Sequence, residues 1–97
     1  MNSIEEIRAL HTGHWFDKDA RMFFKSRLSR RVYPSSAGTY FVSSERFENA
    51  PRLYTVRLAL LERGRVEITT IGSFGQYPGA AQAHRAAKAA ALAAQEV

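Results

Sequence analysis

From Arg52 to Gly72, "RLYTVRLALLERGRVEITTIG", apolar and polar positions alternate, break at "ERGR" and resume. Period two on both sides of a short polar break predicts two antiparallel strands joined by a hairpin. Tyr54, Val56, Leu58 and Leu60 fall on one side of the first strand. Arg63-Gly64 stands where a tight turn needs positive φ. "TYFV", Thr39 to Val42, is β-branched and aromatic and predicts another strand. Upstream, "MFFKSRLSRRVY", Met22 to Tyr33, reads as its hairpin partner, joined through Pro34 to Gly38. Strand parity puts Met22, Phe24, Leu28 and Val32 toward a core, and Lys25, Arg27 and Arg31 opposite, with Phe23 and Tyr33 on the cationic side. Arg30 breaks that parity, so the strand is expected to bend or end near Ser29. A helical reading of the segment, aligning Ala20, Phe23, Phe24 and Leu28, is the alternative.

Helical periodicity marks the two ends. Ser3 followed by Glu6 is a capping box, the adjacent acids suit a helix start, and Ile4, Ile7, Leu10 and His11 share a face before Gly13. The predicted helix spans Ser3 to Thr12. After Gly72, Gly75 and Pro78-Gly79, ten alanines among residues 80–94 predict a helix from Ala80 to Gln95. Its smooth face is Ala83, Ala86, Ala87, Ala90 and Ala94; His84, Arg85 and Lys88 share another arc. The expected fold is α+β over residues 1–97 as one domain. It has an antiparallel sheet of three to four strands and an N-terminal and a C-terminal helix in α-β-β-β-α order, with the helices on one face.

Charge changes this picture more than composition does. The chain carries +5, and all of it is found between Lys18 and Arg31: Lys18, Arg21, Lys25, Arg27, Arg30 and Arg31 against Asp19. Such a strip attracts polyanions. Cysteine is absent, which excludes disulfides and thiolate chemistry. "MNSIEEIRAL" has acids where a signal peptide needs cations, and no apolar run approaches a membrane span, so a cytoplasmic protein is expected.

No motif carries catalysis or a metal. His11 and His14, with His84 as a third donor, lack the glutamate of a zinc-protease helix. Gly72, Gly75 and Gly79 have neither phosphate-loop nor dinucleotide spacing, and none of the serines sits in a nucleophile elbow. A non-enzymatic protein without cofactor or metal is expected. Its binding residues would be Lys25, Arg27, Arg30, Arg31 and Arg21, helped by Arg85 and Lys88, because arginine forks hold phosphate and interleaved aromatics stack on bases.

"FFKSRLSRRVY", "GTYFVSSERF", "PRLYTVR" and "GSFGQY" leading into "AHRAAKAAA" resemble a family of small bacterial and phage or prophage proteins, over residues 15 to 90. In size and lack of enzyme signatures the chain also resembles the anti-CRISPR inhibitors. That likeness implies an inhibitor occluding a host nucleoprotein complex, gripping an acidic protein surface or the nucleic acid inside it. The element order and basic last helix resemble a double-stranded-RNA-binding domain, which implies direct nucleic-acid binding through Arg85 and Lys88. That domain's helix-start lysines are Ala80, Ala81 and Gln82 here.

Overall fold

Ser3 caps the first helix as its spacing predicts: its hydroxyl accepts from the Glu6 amide at 3.2 Å, and Ile4–Leu10 (α1) follows. The computed structural model describes residues 1–11 and 18–95; the expected linker aromatics Trp15 and Phe16, and Gly13, lie outside these. After α1 come a short helix Lys18–Phe23 (α2), strands Arg27–Leu28 (β1), Tyr33–Ser35 (β2), Gly38–Glu45 (β3), Leu53–Glu62 (β4) and Arg65–Ile71 (β5), and helix Ala80–Gln95 (α3). The class is α+β and the sheet antiparallel, with five strands among the described residues where three to four were expected. β3 lies inside the sheet, between β4 and the two short strands β1 and β2, and β5 forms the far edge.

The extra strand comes from a break. Arg27 pairs with Ser44 and Tyr33 with Tyr40, so six steps along one chain oppose four along the other. Two surplus residues are looped out between β1 and β2, around Arg30 and Arg31, where the parity of the sequence fails. The expected strand also starts late. Met22 and Phe23 belong to the end of α2, and both are exposed together with Phe24, so Met22 and Phe24 are not core residues. Leu28 and Val32 do pack inward, against the cluster around Phe41.

The β4–β5 hairpin turns at Arg63 (φ 53°) and Gly64 (φ 78°), both left-handed, which matches the right-handed twist of the strands. At the other hairpin Gly38 (φ 134°) is required twice over. A side chain there would sit in the left-handed region, and its Cβ would meet the Ala59 carbonyl oxygen at 2.6 Å.

Helices α1 and α3 cover opposite faces of the sheet, not one. Tyr40, Val42 and Val56 lie under Ala83, Ala87 and Ala91 of α3, whereas Phe41, Ala59 and Val66 lie with Ile4 and Ile7 of α1. The reason is in β3, whose consecutive apolar residues Tyr40, Phe41 and Val42 are all buried. Neighbouring strand residues point to opposite faces, so such a run needs a cover on each side.

Along α3 the innermost row is Ala83, Ala87 and Ala91, four residues apart, with Ala86, Ala90 and Ala94 beside it. Methyl side chains let the helix lie close to the sheet. Replacing Ala87 by Leu is expected to destabilise the fold by about 1–3 kcal/mol through overpacking. At about 4–8 °C per kcal/mol for a chain of this size, a thermal melt resolves it. An unchanged midpoint would mean the face has slack.

Candidate polyanion interface

One end of the sheet gathers cations from three chain segments. Leaving α2, the chain turns at Lys25 (φ 48°). The Phe24 carbonyl accepts from the Arg46 amide at 2.8 Å, which extends the β1–β3 pairing past the strand ends. Arg27 stands opposite Ser44, on the face that α3 covers further along. Beyond β3 the loop turns at Glu48 (φ 51°), closed by the Ala50 amide on the Phe47 carbonyl at 2.9 Å. Arg46 Nε braces it on the Ala50 carbonyl at 3.2 Å. Arg52 then reaches back, its Nη1 donating to the Lys25 carbonyl at 2.8 Å and the Ser44 hydroxyl at 2.9 Å.

These residues enclose an open hollow of about 300 Å³, lined by Lys25, Arg27, Arg46, Glu48, Asn49 and Arg52. Four cations face one carboxylate. Burial pulls Arg52 below the ordinary arginine range, and the like charges of Arg27 and Arg46 add to this, while Tyr54 and Glu45 oppose it. Arginine nevertheless stays protonated in proteins, so the repulsion remains in the site. Of the three non-glycine residues with positive φ among the described residues, two, Lys25 and Glu48, line this hollow. Left-handed backbone in non-glycine residues is uncommon and gathers at binding sites.

Phe24 and Phe47, next in sequence to Lys25 and Arg46, form an exposed aromatic platform with Phe74 of the β5–α3 connection. Its tether to Ser43 and Glu45 sets it on the face opposite Arg27 and Ser44. Phe24 and Phe47 meet edge to face at 5.3 Å between ring centres, and Phe47 meets Phe74 at 6.3 Å. Their exposures are 44%, 41% and 53%, high for rings of this size. The Arg57 guanidinium lies 5.6 Å from the centre of Phe74. Arg57 is itself held by the Ser43 hydroxyl at 3.0 Å, the Thr70 hydroxyl at 2.8 Å and Glu45 at 3.7 Å. Burial pushes the Glu45 carboxyl above the usual carboxylate range, against the pull of Arg57, Ser43 and Arg52. A half-buried polar tether thus fixes one end of the platform to β3, β4 and β5.

A third group lies along the β1–β2 edge. His84 of α3 is held on both ring nitrogens, Nε2 to the Ser29 hydroxyl at 3.0 Å and Nδ1 to the Tyr33 hydroxyl at 2.8 Å. Arg31 stands 5.7 Å from the centre of the Tyr33 ring. Burial, then the nearby Arg31 charge, lower the His84 pKa. The unfolded chain therefore binds the proton more readily, so this group's contribution to stability is lost as pH falls below about 6.5. Between pH 7 and 5.5 the melting midpoint of the parent should fall more steeply than that of His84→Gln. Glu45 acts with the opposite sign but is common to both proteins. Parallel slopes would show that His84 titrates as in the unfolded chain.

The expected binding residues thus divide. Lys25 and Arg27 line the hollow; Arg30 and Arg31 are exposed in the looped-out segment beyond it. Arg85 and Lys88 are exposed on α3, with Lys88 one helical turn past His84 on the same side. Arg21 is exposed on α2 and does not line the hollow. Tyr33, expected to be available for stacking, is engaged by His84. Arg46 and Arg52 are the residues that sequence reasoning missed. They lie outside the dense window, in "RFENAPR", where Glu48 balances one of them. Their one signal is a pair of arginines flanking a turn. Of the metal candidates, His14 lies outside the described residues, and no group of three potential ligands occurs among the described ones. No helix among the described residues is long and apolar enough to cross a membrane.

A family model matches residues 1–88, and the chain accordingly belongs to DUF7447, a family of unknown function. No curated protein and no solved structure is a match to it.

Proposed function

We propose that this member of the DUF7447 family is a non-enzymatic binding protein that takes up single-stranded nucleic acid at the end of its sheet. One observation carries this: four cations and one acid line a hollow at the sheet end, and Phe24 and Phe47, each next in sequence to a lining residue, stand exposed in ring contact. Guanidinium and ammonium groups hold phosphate without reading sequence, and any base has a face to stack on a phenyl ring. An apolar patch meant for a protein core would not need this charge, and a purely solvated charge strip would not need the rings. Arg30 and Arg31 extend the cations along the β1–β2 edge, giving a strand a way out of the hollow. The inhibitor role implied by the anti-CRISPR likeness would use this same face on the nucleic acid of a host nucleoprotein complex.

The test is fluorescence anisotropy with labelled oligothymidylate and oligouridylate, and a duplex of equal length, across a salt series. Single strands should bind more tightly than the duplex. The slope of log K against log salt should be about −2 or steeper, which corresponds to three or more phosphates at about 0.7 each. No binding at low salt would sink the reading. Preference for the duplex would move it to the double-strand mode, with Arg85 and Lys88 as the residues to examine.

A further inference from the structure

The hollow holds more positive charge than one internal phosphate can neutralise. Lys25, Arg27, Arg46 and Arg52 against Glu48 leave an excess of three charges around a single space of about 300 Å³. A phosphodiester inside a strand brings one negative charge. A terminal phosphomonoester brings about 1.5 to 2, with three strong acceptor oxygens. The donors suit the second better. Arg52 spends only Nη1 on the Lys25 carbonyl and the Ser44 hydroxyl, so its fork is positioned with Nη2 still available. Arg46 spends only Nε, on Ala50. Forks held in place by other bonds lose little freedom when they grip an anion.

The outline of the hollow also bears on where a strand can go. An internal phosphate needs the chain to continue on both sides. On the β1 side the surface is cationic, through Arg27 toward Arg30 and Arg31. On the other side the loop between β3 and β4 presents Glu48 and Asn49, set between Arg46 and Arg52. A strand continuing there would have to pass the Glu48 carboxylate, the one acid of the lining. A strand that ends in the hollow needs only the one exit.

We propose that the hollow is a subsite for the terminal phosphate of a nucleic-acid strand, so that the protein reads phosphorylated strand ends. This rests on the single-strand reading above, and it names the part of the strand that the site selects. The terminal phosphate sits among the four cations, and the remaining strand leaves along the β1–β2 edge.

The experiment uses three otherwise identical short oligothymidylates, bearing a 5′-phosphate, a 3′-phosphate or hydroxyls at both ends. Their affinities for the full chain are measured by competition against one labelled strand. One phosphorylated end should bind about tenfold or more tightly than the hydroxyl form, the equivalent of one added charge-assisted hydrogen bond. That ratio should shrink as pH falls through about 6, where the monoester loses its second charge. Arg27→Gln and Arg46→Gln, which remove a cation without reversing it, should each reduce the ratio more than they reduce binding of the hydroxyl strand. Equal affinity for all three strands, with binding intact, overturns the end-reading proposal and leaves the single-strand reading standing. Absence of binding to any of them overturns both.

Discussion

Reversing Lys25, Arg27 and Arg31 together to glutamate is expected to leave the protein folded and to abolish its capture of nucleic acid. All three side chains are exposed, and the substitution takes the formal charge from +5 to 5 − 6 = −1. Exposed charges contribute about 0–1 kcal/mol each to stability. The cation over the Tyr33 ring is lost with Arg31, at about 0.5–1 kcal/mol for an exposed contact. Against this, acids beside Arg52 and Arg46 relieve the crowding of like charges in the hollow. Melting should therefore move little. Binding should not survive, because phosphate contacts supply most of the affinity in sequence-independent recognition and three of them become repulsions. Anisotropy and a circular-dichroism melt on the same preparation check both halves. Parent-like affinity in the triple variant would reduce the strip to a solvated face, and lost binding with a collapsed melt would say nothing for an interface.

The second large effect separates two phenylalanines. Phe41 is fully enclosed among Ile4, Ile7, Ala59 and Val66, while Phe74 is about half exposed on the platform. Phe41→Ala should cost about 3–5 kcal/mol through lost burial and the cavity left behind. That is a large part of the roughly 5–15 kcal/mol available to a domain, so the variant should melt far below the parent or fail to fold at room temperature. Phe74→Ala should leave the melt nearly unchanged. It should weaken single-strand binding by about 1–3 kcal/mol if a base stacks there, with the salt slope unaltered since no phosphate contact is removed. A Phe74→Ala protein that binds as the parent does would remove the platform from the site.

How far these residues could be read beforehand varies with the range of the forces involved. Ser3 and Glu6 act within one helical turn, and Arg63-Gly64 within one hairpin, so both were legible and both are found. Strand alternation in residues 53–61 and 66–71 likewise needs no distant partner to be seen. Met22 to Tyr33 was harder. Its alternation fits a strand, but the local chain at Met22 and Phe23 completes α2, and parity cannot show that two residues are looped out against β3. The innermost row of α3 was offset: Ala91 takes a central place that Ala90 and Ala94 were expected to share. With alanines almost all round, the pattern leaves the rotation of the helix about its axis underdetermined.

By itself the sequence determined the class of fold, the paired strands, the capped start of α1, the start of α3 after Gly79 and the location of the excess charge, because each is set by interactions between near neighbours or by simple counting. Only the tertiary structure decided that α1 and α3 cover opposite faces, and that Arg46 and Arg52 join Lys25 and Arg27 around one hollow. Those outcomes depend on strand register, on the two-residue bulge and on a loop folding back over twenty residues of chain. Register places side chains from distant positions within a few ångströms of each other, and one residue of slip would send every one of them to the other face.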